Sequence, residues 1–301
     1  MRRLLVIVSL LGSALSGFEY PLTHKQVTPD VHCFIGAPEV MNTTNNGNIV
    51  NSCYIDAGES YVVIDTGPSY AYAESVYNEM QRIKPMPVEL VINTHVHDDH
   101  WLGNHFFTQK GVRVLGSDDF AHSVDLSEPV RMQTYISPEA YRGTVPTLPT
   151  EMVREDTLRT VGNQELVIKM AKHKAHTAKD LYVYLPKSGV LFAGDLVFND
   201  RLPSVKGGDI NGWIETLDEL DSLGARHVIG GHGARTDADT ARMTRTYLTQ
   251  LRDEVRAAIG EGLGIEETIR KVTMDPFRSE GMYEAMHRGN VEATYRILEW
   301  E

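Results

Sequence analysis

Thr94-His95-Val96-His97-Asp98-Asp99-His100 sets three imidazoles and two carboxylates within seven residues, directly after the apolar run Val88–Ile92. Neutral imidazole and carboxylate are the donors that zinc and other divalent first-row metals favour. A short loop leaving a strand can turn His95 and His97 one way and Asp99 and His100 another. The cluster therefore has the capacity for two ions rather than one. Three more apolar runs end alike: Val62–Ile64 leads into Asp65, Val190–Ala193 into Gly194-Asp195, and Val228–Ile229 into Gly230-Gly231-His232. Between them, Ala175-His176-Thr177 follows the strand-like run Glu165–Met170. Loops at strand ends suit reactive groups, because the sheet fixes the base while the loop positions the side chains. Glycine beside Asp195 and His232 lets backbone approach a shared centre.

Upstream of the cluster, residues 30–66 alternate short β-type runs with turns: Val31–Ile35, the polar turn Asn42–Asn48, Ile49–Ile55 and Tyr61–Ile64. That pattern predicts antiparallel hairpins. Tyr72, Val76, Met80 and Ile83 then recur at helical spacing and stop before Pro85. Downstream, Leu102–Lys110 reads as a short helix and Val112–Leu115 as a strand. Pro129, Pro138, Pro146 and Pro149 exclude one long helix over 118–157, predicting a helical, loop-rich insertion over one face. Strands are expected at Glu165–Met170, Leu181–Leu185, Val190–Ala193 and His227–Ile229. The stripe Trp213, Leu217, Leu220 and Leu223 marks a helix. The tail is helical, with Tyr247, Leu248, Leu251, Val255 and Ile259 on one face and further helices at Ile265–Val272 and Val291–Leu298. Early hairpins followed by strand–helix alternation define an α/β chain with two sheets and helices packed outside.

Met1-Arg2-Arg3, the uncharged run Leu4–Leu11 and the small residues Gly12 to Gly17 read as a signal peptide, with 1–16 removed. The apolar run is shorter than the ~20 residues of a membrane span. Residues 17–301 then form a single domain with a helical C-terminal segment, expected to be secreted or periplasmic without stable membrane insertion. The 29 Lys+Arg against 41 Asp+Glu give a formal charge of −12. That balance repels phosphate backbones and argues against nucleic acid as a partner, leaving a small-molecule substrate. Cys33 and Cys53, the only cysteines, sit in strand-like stretches. A cross-strand disulfide and a pair of buried free thiols both fit that placement. Neither lies near the histidine motifs, which disfavours a cysteine-ligated zinc site.

The segments resemble the metallo-β-lactamase superfamily over roughly residues 30–235. H-x-H-x-D-H stands as His95, His97, Asp99 and His100; the family's later histidine, bridging aspartate and last histidine match His176, Asp195 and His232; its early structural aspartate matches Asp65. The resemblance implies a four-layer αββα sandwich of two mixed sheets with helices outside, and a dinuclear site at one edge. It assigns His95, His97 and His176 to a first zinc, and Asp99, His100 and His232 to a second, with Asp195 bridging. The activity so implied is that of an exported dinuclear zinc hydrolase, using a metal-bridging hydroxide on a small ester, thioester, lactone or amide. Asp99 is assigned either to orienting the nucleophile or to a pure ligand role.

Family members that are zinc β-lactamases carry cysteine or serine at the bridging position, and thioester hydrolases carry aspartate. Asp195 points away from a dedicated β-lactamase. Val190–Asp200 and His287–Tyr295 look like exported members associated with sulfur-oxidation or quinoprotein-relay systems. The alternatives are β-lactamase activity, an iron dioxygenase like the persulfide-oxidising relatives, and a noncatalytic periplasmic metal-binding partner protein. His24, His32, His105, His122, His173, His227 and His287 fall outside the pattern, with His173 the one competitor for the role of His176. Asp98 is expected to be solvated or bonded to backbone, Asp65 to fix a loop behind the ligands. The insertion 118–157 and the loop Phe198–Asp209, with Arg201 and Lys206, are expected to shape the substrate pocket.

Overall fold

Tyr61-Val62-Val63-Ile64 is buried at every position, although a strand with one solvated face would alternate. Its side chains enter two different cores, Tyr61 and Val63 on one side and Val62 and Ile64 on the other. A strand buried on both faces requires further layers on each side, and these dictate the architecture.

The structure, a computed structural model, describes residues 18–301, so the expected leader at 1–16 lies outside the described residues. One sheet holds β1 (His24–Thr28), β2 (Val31–Phe34), β3 (Ser52–Asp56), β4 (Tyr61–Ile64), β5 (Val88–Ile92), β6 (Arg113–Ser117) and β7 (Glu151–Val153), in that order. Its strands pair antiparallel from β1 to β4 and parallel from β4 to β7. The second sheet has β8 (Thr157–Val161), β9 (Gln164–Met170), β10 (Leu181–Leu185), β11 (Val190–Phe198) and β12 (His227–His232) in the order β12-β11-β10-β9-β8. Only β11 and β12 pair parallel there. The inner core joins Val62, Ile64, Leu90 and Ile92 of the first sheet to Ile168, Val183, Phe192 and Ile229 of the second.

Helices cover the outer faces. α1 (Tyr70–Ile83) presents Tyr72, Ala73, Val76 and Met80 to the first sheet, leaving Ile83 exposed. Ser69 caps it by accepting from the Tyr72 N–H, and it stops at Lys84 because the residue before Pro85 is pushed to extended backbone. On the second sheet lie α7 (Ile210–Ser222) and α8 (Arg242–Gly260), and α10 (Tyr283–Leu298) packs on α8 with α9 (Ile265–Lys271) beside both. The chain is thus α/β, a four-layer αββα sandwich.

The structure departs from the sequence reading at several places. The helix expected over Leu102–Lys110 is the shorter α3 (Asn104–Thr108), and a separate turn, α2 (Asp98–Trp101), precedes it on the other side of Gly103. A Cβ at Gly103 would lie 2.3 Å from the Thr66 carbonyl oxygen. The stretch 118–157 carries α4 (Phe120–Ser123), α5 (Arg131–Tyr135) and α6 (Pro138–Tyr141), yet it ends in β7, which pairs with β6 and belongs to the sheet itself. The last helix begins at Tyr283, eight residues before Val291. β1 is an added edge strand with exposed and half-buried residues, so no apolar run marks it. Cys33 and Cys53 face each other across β2 and β3 and form a disulfide, which resolves the two readings of the pair. No helix among the described residues is long and apolar enough to cross a membrane.

His287 ties the C-terminal layer together. Its Nε2–H donates to the Val272 carbonyl at 2.8 Å and its Nδ1 accepts from the Tyr247 hydroxyl at 3.1 Å. Burial holds its pKa below the ordinary 6.5 against the opposing effect of the Val272 bond, with the Arg278 charge acting in the same direction as burial. The folded state then binds fewer protons than the unfolded chain, so the contribution is complete above pH 6.5 and is lost as pH falls beneath it. Chemical denaturation from pH 8 down to 5 should show stability falling across that window, with a shallower fall in His287→Gln.

Candidate metal centre

One end of the sandwich gathers the ends of β4, β5, β11 and β12 and the β9–β10 loop. Asp65 leaves β4 with φ 56°, a left-handed conformation that aspartate tolerates better than most residues. Its carboxylate accepts from the Thr94 N–H and hydroxyl, each at 2.8 Å, and from His100 Nδ1 at 2.8 Å. Asp65 thus fixes the loop after β5 from behind, as expected. His95 Nδ1 lies 3.1 Å from the Thr94 hydroxyl, and His232 Nδ1 donates to the Ile49 carbonyl at 2.5 Å. With their Nδ1 atoms engaged, His95, His100 and His232 present bare Nε2 atoms to the centre.

Those atoms fall into two groups, His95, His97, His176 and Asp195 in one and Asp99, His100 and His232 in the other, each group's donor atoms within 4.8 Å of one another. Asp195 divides its carboxylate between them. Oδ2 lies 3.2 Å from His176 Nε2 and 3.7 Å from His95 Nε2, while Oδ1 lies 3.2 Å from both His100 Nε2 and His232 Nε2. His97 offers Nδ1, 3.0 Å from His95 Nε2 and 2.9 Å from His176 Nε2. Asp99 Oδ2 is 3.7 and 3.6 Å from the Nε2 atoms of His100 and His232. All seven sequence-predicted donors are brought together.

Asp195 lies within β11 rather than beyond its end, because the strand continues to Phe198 through an irregular register at Gly194. Gly231 makes room for it, since a Cβ there would sit 1.9 Å from Asp195 Oδ1. His176 is held by packing, its ring 5.1 Å from Trp213 of α7 and 5.7 Å from Phe198. The turn after it is closed by buried Asp180, which accepts from the Thr177 N–H at 2.8 Å and hydroxyl at 2.7 Å.

The electrostatics call for a cation. Burial would raise the Asp195 carboxyl, but His232, His100 and His95 hold it well below its ordinary value. Burial would lower His100, but Asp195, Asp65 and Asp99 push it well above. His95 is driven far down, and His97 to about 3, chiefly by burial. His100 Nε2 and Asp195 Oδ1 are buried with no hydrogen-bond partner. Unpaired buried groups are costly, and cations among these nitrogen and oxygen donors relieve the cost. The donor set fits divalent metal of the zinc type, with three histidines for one ion and two histidines plus a carboxylate for the other.

His173 stays outside the cluster, half-exposed and 3.1 Å from Glu215, so His176 holds the position. The other histidines outside the pattern are also absent from both groups. Asp98 is buried and accepts from the Met132 N–H at 2.7 Å, as expected of a backbone-bonded carboxylate, but it also pairs with Arg131 at 2.6 Å. Arg131 is the residue that sequence reasoning missed: Nη2 of this insertion side chain also holds Asp99 Oδ1 at 2.9 Å. No spacing rule links residues 32 apart, and the Asp98-Asp99 pair was the only signal that a cation was wanted. Asn51 was missed as well. Its N–H donates to the Gly231 carbonyl at 2.8 Å and its amide to Gly230 and Gly233, fastening the first sheet beside His232.

The family model described as "Metallo-beta-lactamase superfamily" matches residues 45–232. The linear primary-alkylsulfatase of a Pseudomonas species is 23% identical over 263 residues, covering 74% of this chain and 49% of that protein. The metallo-beta-lactamase IND-1 of Chryseobacterium indologenes is 24% identical, covering 60% of this chain and 71% of that enzyme. The chain thus spans about half the length of the alkylsulfatase it matches. Among solved structures, a metallo-beta-lactamase from Pontibacter korlensis superposes with TM-score 0.62 at 23% identity, over 76% of this chain and 99% of that one. The sec-alkylsulfatase Pisa1 from Pseudomonas sp. superposes with TM-score 0.68 at 19% identity, over 91% of this chain and 50% of that one. These likenesses carry the fold.

Groups that orient metal-ligating histidines typically contribute 10–100-fold in metal affinity. Asp65→Asn should therefore weaken binding of divalent metal by about that factor, measured by chelator competition, with an unchanged circular dichroism spectrum.

Proposed function

Because the chain belongs to the metallo-β-lactamase superfamily, whose members are metal-dependent hydrolases, we infer that it is an exported dinuclear zinc hydrolase acting on a small ester, thioester, lactone or amide. The observation that carries this reading is the divided carboxylate of Asp195, with Oδ2 toward His95 and His176 and Oδ1 toward His100 and His232. A carboxylate divided in that way suits two centres, and the converging donors supply three terminal ligands for each, His95, His97 and His176 on one side and Asp99, His100 and His232 on the other. Two bound zinc ions would supply a hydroxide nucleophile at neutral pH and a counter-charge for the oxyanion of the transition state.

The chain's own groups do the rest. His95, His97 and His176 would hold one ion, Asp99, His100 and His232 the other. Arg131 keeps Asp99 Oδ1 occupied, so that only Oδ2 faces the centre. Asp99 in this arrangement serves as a fixed one-oxygen donor. A cavity of about 320 Å³ opens over His97, Asp99, His176, Asp195 and His232, a size suited to a small molecule. The Cys33–Cys53 disulfide supports export, because such bonds persist in oxidising compartments.

Protein isolated without chelator should carry about two zinc equivalents and hydrolyse members of a panel of aryl esters, lactones, lactoylglutathione and nitrocefin. His95→Ala and Asp195→Ala should each lose metal and reduce turnover by at least about a hundredfold. One iron per chain, with oxygen consumed on glutathione persulfide, would overturn the reading in favour of the dioxygenase.

A further inference from the structure

Arg201 sits at the floor of the cavity over the metal-type cluster, only 5% exposed. Its guanidinium lies 5.6 Å above the Phe198 ring, and its Nε has no hydrogen-bond partner. Among the described residues its one polar side-chain contact is from Nη1 to His232 Nδ1, at 3.5 Å. That nitrogen already donates its proton to the Ile49 carbonyl, so it offers the guanidinium no acceptor. A buried guanidinium without an acceptor is costly, and an oxyanion in the cavity would satisfy it.

Glu39, Arg131 and Lys206 also line the cavity, and the rest of its wall is largely apolar. Val40, Met41, Ile49, Met282 and Met286 line it. A second cavity of about 790 Å³ shares Arg131, Ser204, Lys206 and Met286 with the first and continues along α10. Its helix wall is Ala285, Gly289, Ala293 and Ile297, spaced four residues apart and hence on one face. From Met286 to Ile297 the helix advances roughly 16 Å. A Cβ at Gly289 would meet nothing within 4 Å, so the groove is open there. At its far rim Arg296 and Glu292 pair with each other at 2.9 Å and leave no net charge. All of α10 lies beyond residue 232, where the family match ends.

We propose that this cavity and groove form the binding site for an amphiphilic anion, its carboxylate- or sulfate-type head group against Arg201 and its hydrocarbon tail along the small-residue face of α10. The proposal rests on the hydrolase reading, to which it adds that the ester, thioester, lactone or amide cleaved carries such an anionic group and such a tail. Met282 and Met286 flank the point where head and tail join, and their flexible thioethers suit tails of varied shape. The docking of α10 also holds Arg201 in place, through the Leu202 N–H donated to the Gly281 carbonyl at 2.8 Å and the Gly281 N–H donated to the Asp200 carbonyl at 3.1 Å.

Calorimetric titration of the full chain as isolated tests the site, with hexyl to decyl sulfonates, the matching alkanoates and the matching alcohols, all below micelle-forming concentrations. Affinity of the anions should rise about two- to fourfold per added methylene. An alcohol of equal length should bind about tenfold more weakly. The tighter of sulfonate and alkanoate identifies the head group. Arg201→Met should erase the preference for anions. Gly289→Leu, a change that favours the helix, should abolish the dependence on chain length while keeping the short anions bound. Equal binding of alcohols and anions, or a chain-length dependence untouched by Gly289→Leu, overturns the proposal. Zinc content and aryl-ester hydrolysis are measured on the same sample. Their absence with anion binding intact defeats the hydrolase reading alone, whereas hydrolysis without anion binding defeats this one.

Discussion

Asp195 is a carboxylate buried among imidazoles from three segments, and most of the architecture at that end of the sandwich accommodates it. Its Oδ1 lies where any side chain at position 231 would have to go, so β12 must pass with glycine at that point. Gly194, immediately before it, has φ 53°, and a Cβ there would lie 2.7 Å from the Thr94 side chain. The two glycines let β5, β11 and β12 approach closely enough for one carboxylate to reach both histidine groups. A carboxylate so enclosed costs free energy unless positive charge faces it. The fold therefore holds an electrostatic deficit at its edge that bound cations make good.

The same deficit explains the groups standing behind the donors. Asp65 receives three hydrogen bonds from the Thr94–His100 loop and gives His100 a carboxylate partner at its outer nitrogen. Arg131 comes from the insertion and neutralises the outward oxygen of Asp99 together with Asp98. Ligand positions are thus set by hydrogen bonds made away from the centre. That is what allows short loops, with little packing of their own, to keep seven donor atoms in register.

How legible the molecule is from its sequence follows from what each part depends on. β5, α1, β9 and β10 were readable because burial of a strand or helix face imposes a period on the chain, and Val88–Ile92 was delimited to the residue. The metal-type donors were readable because histidine and aspartate clustered after apolar runs have few other uses. β7 was hidden inside a proline-rich stretch, since three residues carry no period. The start of α10 was missed because Tyr283 to Asn290 has only Tyr283 and Met286 as large apolar residues, too few to show a helical period. Arg131 and Asn51 act across 32 and about 180 residues of chain, through contacts that only the folded arrangement creates.

The residues that escaped the sequence and those that define the pocket wall are largely the same class. Chemistry at the sheet edge rests on groups of fixed type at fixed strand ends, whose identity announces the role. Recognition instead uses ordinary residues, a methionine, an alanine or an arginine, whose meaning comes from the space beside them. Arg201 was visible as a cation in a loop, but that it is buried and lacks an acceptor belongs to the fold alone. Gly289 shows the point most clearly. In sequence it is a residue that weakens a helix by about 1 kcal/mol, and nothing within 4 Å of its missing side chain requires its smallness. A glycine that serves neither turn nor packing in a helix lining a groove continuous with the metal-type cluster makes sense if the space itself is what the helix supplies. On the proposed reading, reactivity and specificity in this chain come from different layers of the sandwich, the first from strand ends shared with its superfamily, the second from the outer helix beside them.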